Sequence, residues 1–439
     1  MLKTGLFILL FICNTLFGYC QEGFVIEKGR KQAKIKFQLV SNLIIIPVEL
    51  NGVELSFLLD TGVNTTVLLN LEEADSLQLR DATKIELRGL GGEEIIEAYK
   101  SEHNRMKIGR AICNELTLFL IYDEDVNFSP RLGIPVHGII GTDFFKDFIV
   151  EINYARKFLR IHDPERFRKN LKRYTGVPLQ FFQNKPYVRS KTIIEGEEIE
   201  TVLLIDNGLG DALWLFNENS EIKIPEKSFE DFLGLGLLGD VTGKRSRITS
   251  FELGGHKLEQ VTAAFPDSAS VQGLRSFEER NGSLGGEILR RFNLVFDYSA
   301  AKMYLRKNRN FGDDFNYDMS GITLEHSGFV VVETFVKVLE PVSAFDKGEE
   351  VITHRPQLKK TFALQPAFTI VSIRKNSPAE RAGLEVGDKI LSVNAKPVYK
   401  YHLEDLNALF SSAEGKRIKI KVKREEEELD FEFFLEKLL

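Results

Sequence analysis

Leu58-Leu59-Asp60-Thr61-Gly62 and Leu204-Ile205-Asp206-Asn207-Gly208 decide the fold, because each is an apolar strand running into Asp-x-Gly. The two Asp positions differ by 206 − 60 = 146. Upstream, each is reached through short alternating strands around a glycine turn, Ile46 to Leu59 through Asn51-Gly52 and Val188 to Ile205 through Glu195-Gly196. Downstream come the apolar runs Thr65-Thr66-Val67-Leu68-Leu69 and Ala212-Leu213-Trp214-Leu215. Glycine-rich tips follow, Gly89-Leu90-Gly91-Gly92 and Gly234 through Gly239. Both segments close on an apolar residue before glycine, Ile139-Ile140-Gly141-Thr142-Asp143 and Leu284-Gly285-Gly286-Glu287, at an offset of 285 − 141 = 144. Their tails also match, Phe148 through Tyr154 against Phe292 through Tyr298. Four landmarks in the same order at nearly constant offset indicate an internal duplication. Val, Ile, Leu and Phe alternating between Gly and Asn turns make both halves mainly β, with a short helix after each closing glycine.

The polar, basic stretch Pro164 to Tyr174 links the halves, and Lys307 to Asp318 leads to a third unit of different pattern. There, Phe368 to Ile373 reads as a strand, Asn376-Ser377-Pro378 as a turn, and Ala379 to Ala382 as a short helix ended by Gly383. A second strand, Ile390 to Val393, follows the turn Val386-Gly387-Asp388. Leu403, Leu406, Leu409 and Phe410 mark one helix face. Ile418, Ile420 and Val422 alternate with lysines, and Glu425 to Glu428 turn into a closing strand, Leu429 to Leu435. The expected division is a leader at 1–20, lobes at 34–164 and 175–308, and a last domain at 318–437 with its clear core at 366–437. Phe329 to Lys360 reads as an insertion ahead of that core.

A chain of 439 residues suits about three domains at roughly 150 residues each. With 43% hydrophobic and 28% charged residues the composition is globular, which excludes collagen-like, disordered and multi-spanning membrane classes. The formal net charge is −6 with both signs interspersed, so no basic footprint exists to neutralise a phosphate backbone, and nucleic acid is excluded as a partner. Lys3, the apolar stretch Leu6 to Leu16, and Gly18 and Cys20 before Gln21 read as a cleavable export signal too short to span a membrane. The alternative is an uncleaved anchor. Cleavage would leave Cys113 as the sole cysteine, a small buried hydrophobe in a chain without intrachain disulfides. No stable membrane insertion is expected after cleavage; the localisation is exported, periplasmic or secreted.

The order Asp-Thr-Gly, glycine-rich tip, then hydrophobic-hydrophobic-Gly resembles the retropepsin and pepsin aspartic proteases over residues 34–308. Residues 366–437 look like a PDZ domain, on Asn376-Ser377-Pro378-Ala379, Ala382-Gly383-Leu384, Val386-Gly387-Asp388 and Ile390-Leu391-Ser392-Val393-Asn394. The tandem resembles exported bacterial aspartyl proteases with a C-terminal PDZ domain. That resemblance implies two tandem β lobes forming a pseudo-dimer, followed by a small β-barrel or sandwich with short helices. It implies a peptide or protein substrate, a peptide or C-terminal ligand at the PDZ domain, and no cofactor. Asp60 and Asp206 become the catalytic pair, because two close carboxylates cannot both ionise, so one takes a proton from water while the other donates to the carbonyl. Activity favouring mildly acidic pH is expected. Gly62 and Gly208 would let each loop turn tightly. Thr61 would bond across to the opposite loop, with Asn207 in the matching place as an amide where the family pattern has a hydroxyl. Gly89, Leu90, Gly91 and Gly92, and Gly236, Leu237, Leu238 and Gly239, would be flaps that exclude water over a bound peptide.

Gly321, Ile322, Thr323 and Leu324 are the candidate peptide-binding stretch of the PDZ unit, which would add a ligand strand to a sheet edge; a plain strand is the alternative. Gly234 to Gly239 also spells G-x-G-x-x-G, but no apolar strand precedes it and no helix follows, so a dinucleotide site is rejected. Histidines are scattered with no H-E-x-x-H and no cysteine pairs, and G-x-S-x-G is missing, which leaves neither a zinc site nor a serine hydrolase. Three readings stay open at this stage: an active endopeptidase, a catalytically lapsed peptide-binding protein favoured by Asn207, and a site using Asp60 alone between chains.

Overall fold

The computed structural model describes residues 23–69, 77–88, 95–122, 126–217, 221–236, 239–268, 277–346 and 349–439. The leader at 1–20, the first glycine-rich tip (Gly89, Leu90, Gly91 and Gly92) and Leu237 and Leu238 of the second tip lie outside the described residues. No helix among the described residues is long and apolar enough to cross a membrane.

The fold is mainly β, and the duplication is visible in its registers. In the first half, Gly138–Ile140 lies parallel to Val53–Leu59, with Gly138 opposite Phe57 and Ile140 opposite Leu59. In the second, Gly282–Leu284 lies parallel to Glu197–Ile205, with Gly282 opposite Leu203 and Leu284 opposite Ile205. Each closing strand also pairs antiparallel with the strand after its Asp-x-Gly loop, Thr66–Leu69 in one half and Leu213–Leu215 in the other. The backbone repeats even at the hairpin turns: Ser41 and Asn42 have φ of 48° and 66°, and Gln183 and Asn184 have φ of 48° and 64°. Left-handed values at both central residues suit the right-handed twist of the flanking strands.

A six-stranded sheet joins the halves, in the order Thr175–Pro178, Lys302–Lys307, Phe292–Asp297, Ile149–Asn153, Phe158–His162, Gln32–Lys36. Its central pair is one strand from each half, antiparallel, with Val150 opposite Phe296 and Ile152 opposite Leu294. Both strands are buried almost throughout, including one polar residue inside each, Glu151 and Asn293. One hydrophobic core consequently runs through both lobes, from Ile46 and Phe57 to Ile205 and Phe265. The expected helices after the closing glycines are single turns, Asp143–Lys146 and Gly286–Leu289. Phe145 of the first packs edge-on against Phe296 at 5.5 Å across the lobe boundary.

The C-terminal unit has its own core of Ile322, Leu324, Ile370, Leu406, Ile420 and Phe433 among others. Its sheet runs Ile322–Asp346, Glu349–Ile373, Lys389–Val393, Arg417–Arg424, Glu427–Phe434. The helix Pro378–Ala382 starts at Ser377, whose hydroxyl accepts from the Glu380 N–H, and ends at Gly383 with φ of 95°. The strand expected at Phe368 to Ile373 is the end of a much longer one. It forms, with Ile322–Asp346, a two-stranded hairpin that takes up the whole stretch expected as an insertion. Arg374 docks this unit on the second lobe: its side chain is 6% exposed, bonds Asp231 Oδ1 at 3.4 Å and lies 4.5 Å from the Phe229 ring.

Candidate active site

Each Asp-x-Gly loop hangs from the end of a buried strand and is held by the closing strand beside it. The Asp60 N–H donates to the Ile140 carbonyl at 2.9 Å, and the Asp206 N–H to the Leu284 carbonyl at 3.0 Å. These matching bonds bring two residues 146 apart in sequence to the boundary between the lobes, where both carboxyls crowd one point: a Cβ on Gly62 would stand 3.0 Å from Asp60 Oδ1 and 3.2 Å from Asp206 Oδ1. The carboxyl that Asp60 meets is thus on the same chain. Asp60 is 8% exposed. Gly62 N–H donates to Asp60 Oδ1 at 2.6 Å, and Gly208 N–H donates to Asp206 Oδ1 at 3.1 Å.

The glycines serve close approach rather than a left-handed turn. Neither Gly62 nor Gly208 has positive φ, but a Cβ on Gly208 would stand 2.3 Å from Asp60 Oδ2, and one on Gly62 would stand 3.2 Å from Asp206 Oδ1. Any side chain at Gly208 would force the carboxyls apart.

The brace between the loops is one-sided. Thr61 Oγ1 donates to the Ile205 carbonyl at 2.6 Å, lies 3.1 Å from Asn207 Oδ1, and accepts from the Asn207 N–H at 3.1 Å. Asn207 sends its Nδ2 elsewhere, donating to the Tyr154 hydroxyl at 2.9 Å. Thr61, Asn207 and Tyr154 are all buried, so these bonds are screened from water. The longer amide therefore reaches past the loop to the end of the interlobe strand.

Burial raises both acids. For Asp60 desolvation is the largest cause and the charge of Asp206 the next, which together hold it far above the ordinary carboxylate range. Asp206 is also raised by desolvation, while Arg280, the hydrogen bond from Asp60, the Gly208 N–H and Lys185 favour its charged form. The Lys185 ammonium is lowered by burial and then by Arg280, and the nearby acids oppose this. Arg280 is anchored beneath, with Nε on the Gly282 carbonyl at 3.1 Å and Nη2 on Ser283 Oγ at 2.7 Å. Tyr298, the repeat partner of Tyr154, feels Asp60, and its buried hydroxyl has no hydrogen-bond partner among the described residues.

Four groups near the dyad escaped the sequence reading: Tyr154, Lys185, Arg280 and Tyr298. Two carried a signal, because Tyr154 and Tyr298 end the matching tails of the repeat. Lys185 and Arg280 carried none.

Other expected positions are placed as follows. Gly236 and Gly239 bracket the tip of the hairpin Ser228–Gly236 and Gly239–Leu253, whose sides are anchored rather than free. Arg131 of the first lobe lies 4.3 Å from the Phe232 ring, reaches Asp240 at 3.5 Å and pairs with Glu325 of the C-terminal unit. Trp214 is half-buried and donates from Nε1 to Asp211 Oδ2 at 2.9 Å. Gly321 has φ of 84° and leads into the strand that Ile322, Thr323 and Leu324 begin. Asp318 accepts from the Ser320 and Gly321 N–H groups at 3.1 and 2.6 Å. Gly321, Ile322 and Thr323, with Asn407 of the helix Leu403–Phe410, open onto a cavity of about 660 Å³ whose other walls come from both lobes, Asn42 and Arg131 of the first and Asp231 and Arg245 of the second. Cys113 is buried, as a small apolar side chain.

Residues 46–144 match a family model described as aspartyl protease, and residues 369–424 match one described as PDZ domain. No curated protein matches the chain at a significant level. Among solved structures, the aspartic proteinase from Irpex lacteus aligns with 64% of this chain and 99% of its own, at 12% identity and a TM-score of 0.39.

Proposed function

We propose that this chain, which carries an aspartyl-protease domain and a PDZ domain, is an aspartic endopeptidase that hydrolyses peptide bonds with water activated by Asp60 and Asp206. The observation that carries this reading is the convergence of the Asp60 and Asp206 carboxyls on one point between the lobes, each aligned by the N–H of the glycine two residues on. Two buried acids so close retain one proton between them. Arg280 favours charge on Asp206 alone, whereas Lys185 favours it on both acids, so Asp60 keeps the proton.

In this mechanism the Asp206 carboxylate takes a proton from a water between the acids, and the oxygen attacks the scissile carbonyl carbon. The Asp60 carboxyl gives its proton to the carbonyl oxygen, forming a neutral tetrahedral diol. Collapse breaks the C–N bond as Asp206 passes its proton to the leaving nitrogen, and Asp60 recovers one from the diol. Atoms and charge balance with water as the sole co-reactant. The PDZ domain would bind an extended peptide along the strand that starts at Ile322, bringing substrate or a chain end to the protease lobes.

Incubating the protein with a diverse peptide pool from pH 4 to 8, beside Asp60→Asn and Asp206→Asn, tests the reading. Cleavage by wild type and failure of each variant is the expected result. Peptide binding with no cleavage at any pH would instead support a lapsed binding protein, the reading that the amide at Asn207 favours. Export is a separate part of the proposal, resting on the leader sequence at 1–20; N-terminal sequencing of protein recovered outside the cytoplasm is expected to begin near Gln21.

A further inference from the structure

The hairpin that leaves the PDZ sheet has two strands of 25 residues each, Ile322–Asp346 and Glu349–Ile373. Among the described residues, its return strand pairs with a third strand only at Phe368 and Thr369. A two-stranded ribbon without a second layer is marginal in water, and this one carries its most exposed large apolar side chains on one face. The register sets Val331 opposite Leu364, Glu333 opposite Phe362, Phe335 opposite Lys360 and Lys337 opposite Leu358. Since paired residues and those two apart share a face, Val331, Phe335, Leu339, Leu358, Phe362 and Leu364 form one stripe. Each is between 59% and 72% exposed.

We infer that this stripe is a homodimer interface and that its occupant is the same stripe of a second copy, related by a twofold axis. Charge argues for a copy rather than a lipid surface. Residues 329–366 contain Lys337, Lys347, Arg355, Lys359 and Lys360 against Glu333, Glu340, Asp346, Glu349 and Glu350, a net of 5 − 5 = 0. An anionic bilayer selects a basic segment. Within the stripe, Lys360 Nζ meets Glu333 at 2.7 Å, so that pair is neutralised before any partner arrives, and Lys337 is the other charged side chain there. An identical face brought against it meets mainly apolar groups and a matched pair, which is the self-complementarity that a twofold interface requires.

Area agrees. At roughly 150–250 Å² for a fully buried aromatic side chain and less for Val or Leu, six side chains two-thirds exposed offer on the order of 600 Å² per copy. A symmetric pair then buries about 1,200 Å² from the stripe alone, at the lower bound for specific, stable association, and the ribbon backbone adds to it. A patch of this size on a monomer marks an interaction site.

Sedimentation of the full chain over a wide concentration range tests this. Expected are a reversible dimer and a dissociation constant at least about 100-fold weaker in the triple variant Phe335→Ser, Leu358→Ser, Phe362→Ser. Thr334→Lys, on the opposite face, is expected to leave the dimer intact. Should the triple variant fail to fold by circular dichroism, a chain with residues 331–364 replaced by an Asn-Gly turn takes its place, and is expected to be a monomer. A wild type that stays monomeric throughout overturns the inference, as does a dimer that survives loss of the stripe. Binding of a monomeric wild type to phosphatidylcholine–phosphatidylglycerol vesicles overturns it in favour of a lipid surface.

Discussion

Asn207 Nδ2 donates to the Tyr154 hydroxyl at 2.9 Å, which ties the second Asp loop to the end of the first lobe's central strand. A hydroxyl at position 207 would be too short for this bond, so the amide exchanges half of a symmetric brace for a longer link.

The two residues should behave as a coupled pair. Tyr154→Phe leaves a buried amide donor unsatisfied, and Asn207→Thr leaves a buried hydroxyl unsatisfied, so each is expected to cost about 1–3 kcal/mol. The double variant should cost clearly less than their sum. Tyr298→Phe supplies the contrast, because its hydroxyl has no partner among the described residues to lose, and is expected within about 0.5 kcal/mol of wild type. Urea denaturation of the four variants measures all of this; additive losses at 154 and 207 would refute the coupling.

Asp60→Asn should stabilise the protein at neutral pH. Burial and Asp206 raise the folded pKa of Asp60, so its contribution to stability is fully present below the unfolded carboxylate value and is lost as pH rises through the folded one. A neutral amide escapes that loss. The expected gain is at least about 1 kcal/mol at pH 8 and shrinks to nothing by about pH 3. Thermal unfolding at both pH values reads the sign, and a variant less stable than wild type at pH 8 contradicts the assignment.

Lys185→Met should move the pH–rate profile. Lys185 favours the charged form of both acids, so its loss raises both. The ascending limb follows ionisation of the first acid and the descending limb loss of the shared proton, so both are expected to shift to higher pH. kcat/KM across pH checks this; a shift to lower pH has no explanation in the present geometry.

Arg374→Ala should loosen the PDZ domain from the second lobe. Its side chain is 6% exposed, and its removal takes away the bond to the Asp318 carbonyl at 3.0 Å, the pairing with Asp231 and the stack on Phe229. Loss of a buried, hydrogen-bonded cation is expected to cost about 3 kcal/mol. Limited proteolysis should then cut faster within residues 307–318, where wild type resists; equal rates would show that docking rests on other contacts.

Much of the architecture was legible because it is periodic and repeated. Period-two alternation and constant offsets located the lobes' strands, the Asp pair and their glycines, since strand formation and Asp-x-Gly loops depend on neighbours in sequence. The hairpin beyond Leu324 was not legible, because runs such as Phe329-Val330-Val331-Val332 do not alternate, and because an apolar strand face is ordinarily read as pointing into a core and here it points into solvent. The glycines at 62 and 208 were legible as places where the lobes approach, but what they face was not: it is an opposing carboxylate, 206 − 62 = 144 residues away for Gly62 and 208 − 60 = 148 for Gly208, which no local rule contains.

By itself the amino-acid order determined that this protein is a doubled β unit with an acid at the same place in each copy, followed by a third domain. Local propensity, hydrophobic period and repeat offset suffice for that, because each acts over a few residues at a time. Tertiary structure alone decided that Asn207 bonds Tyr154, that Arg280 biases charge toward Asp206 while Lys185 acts on both acids, and that Arg374 joins the last domain to the second lobe. Those outcomes depend on which side chains share a low-dielectric space, where desolvation and Coulomb energies are large, and chain folding brings such groups together from any distance in sequence.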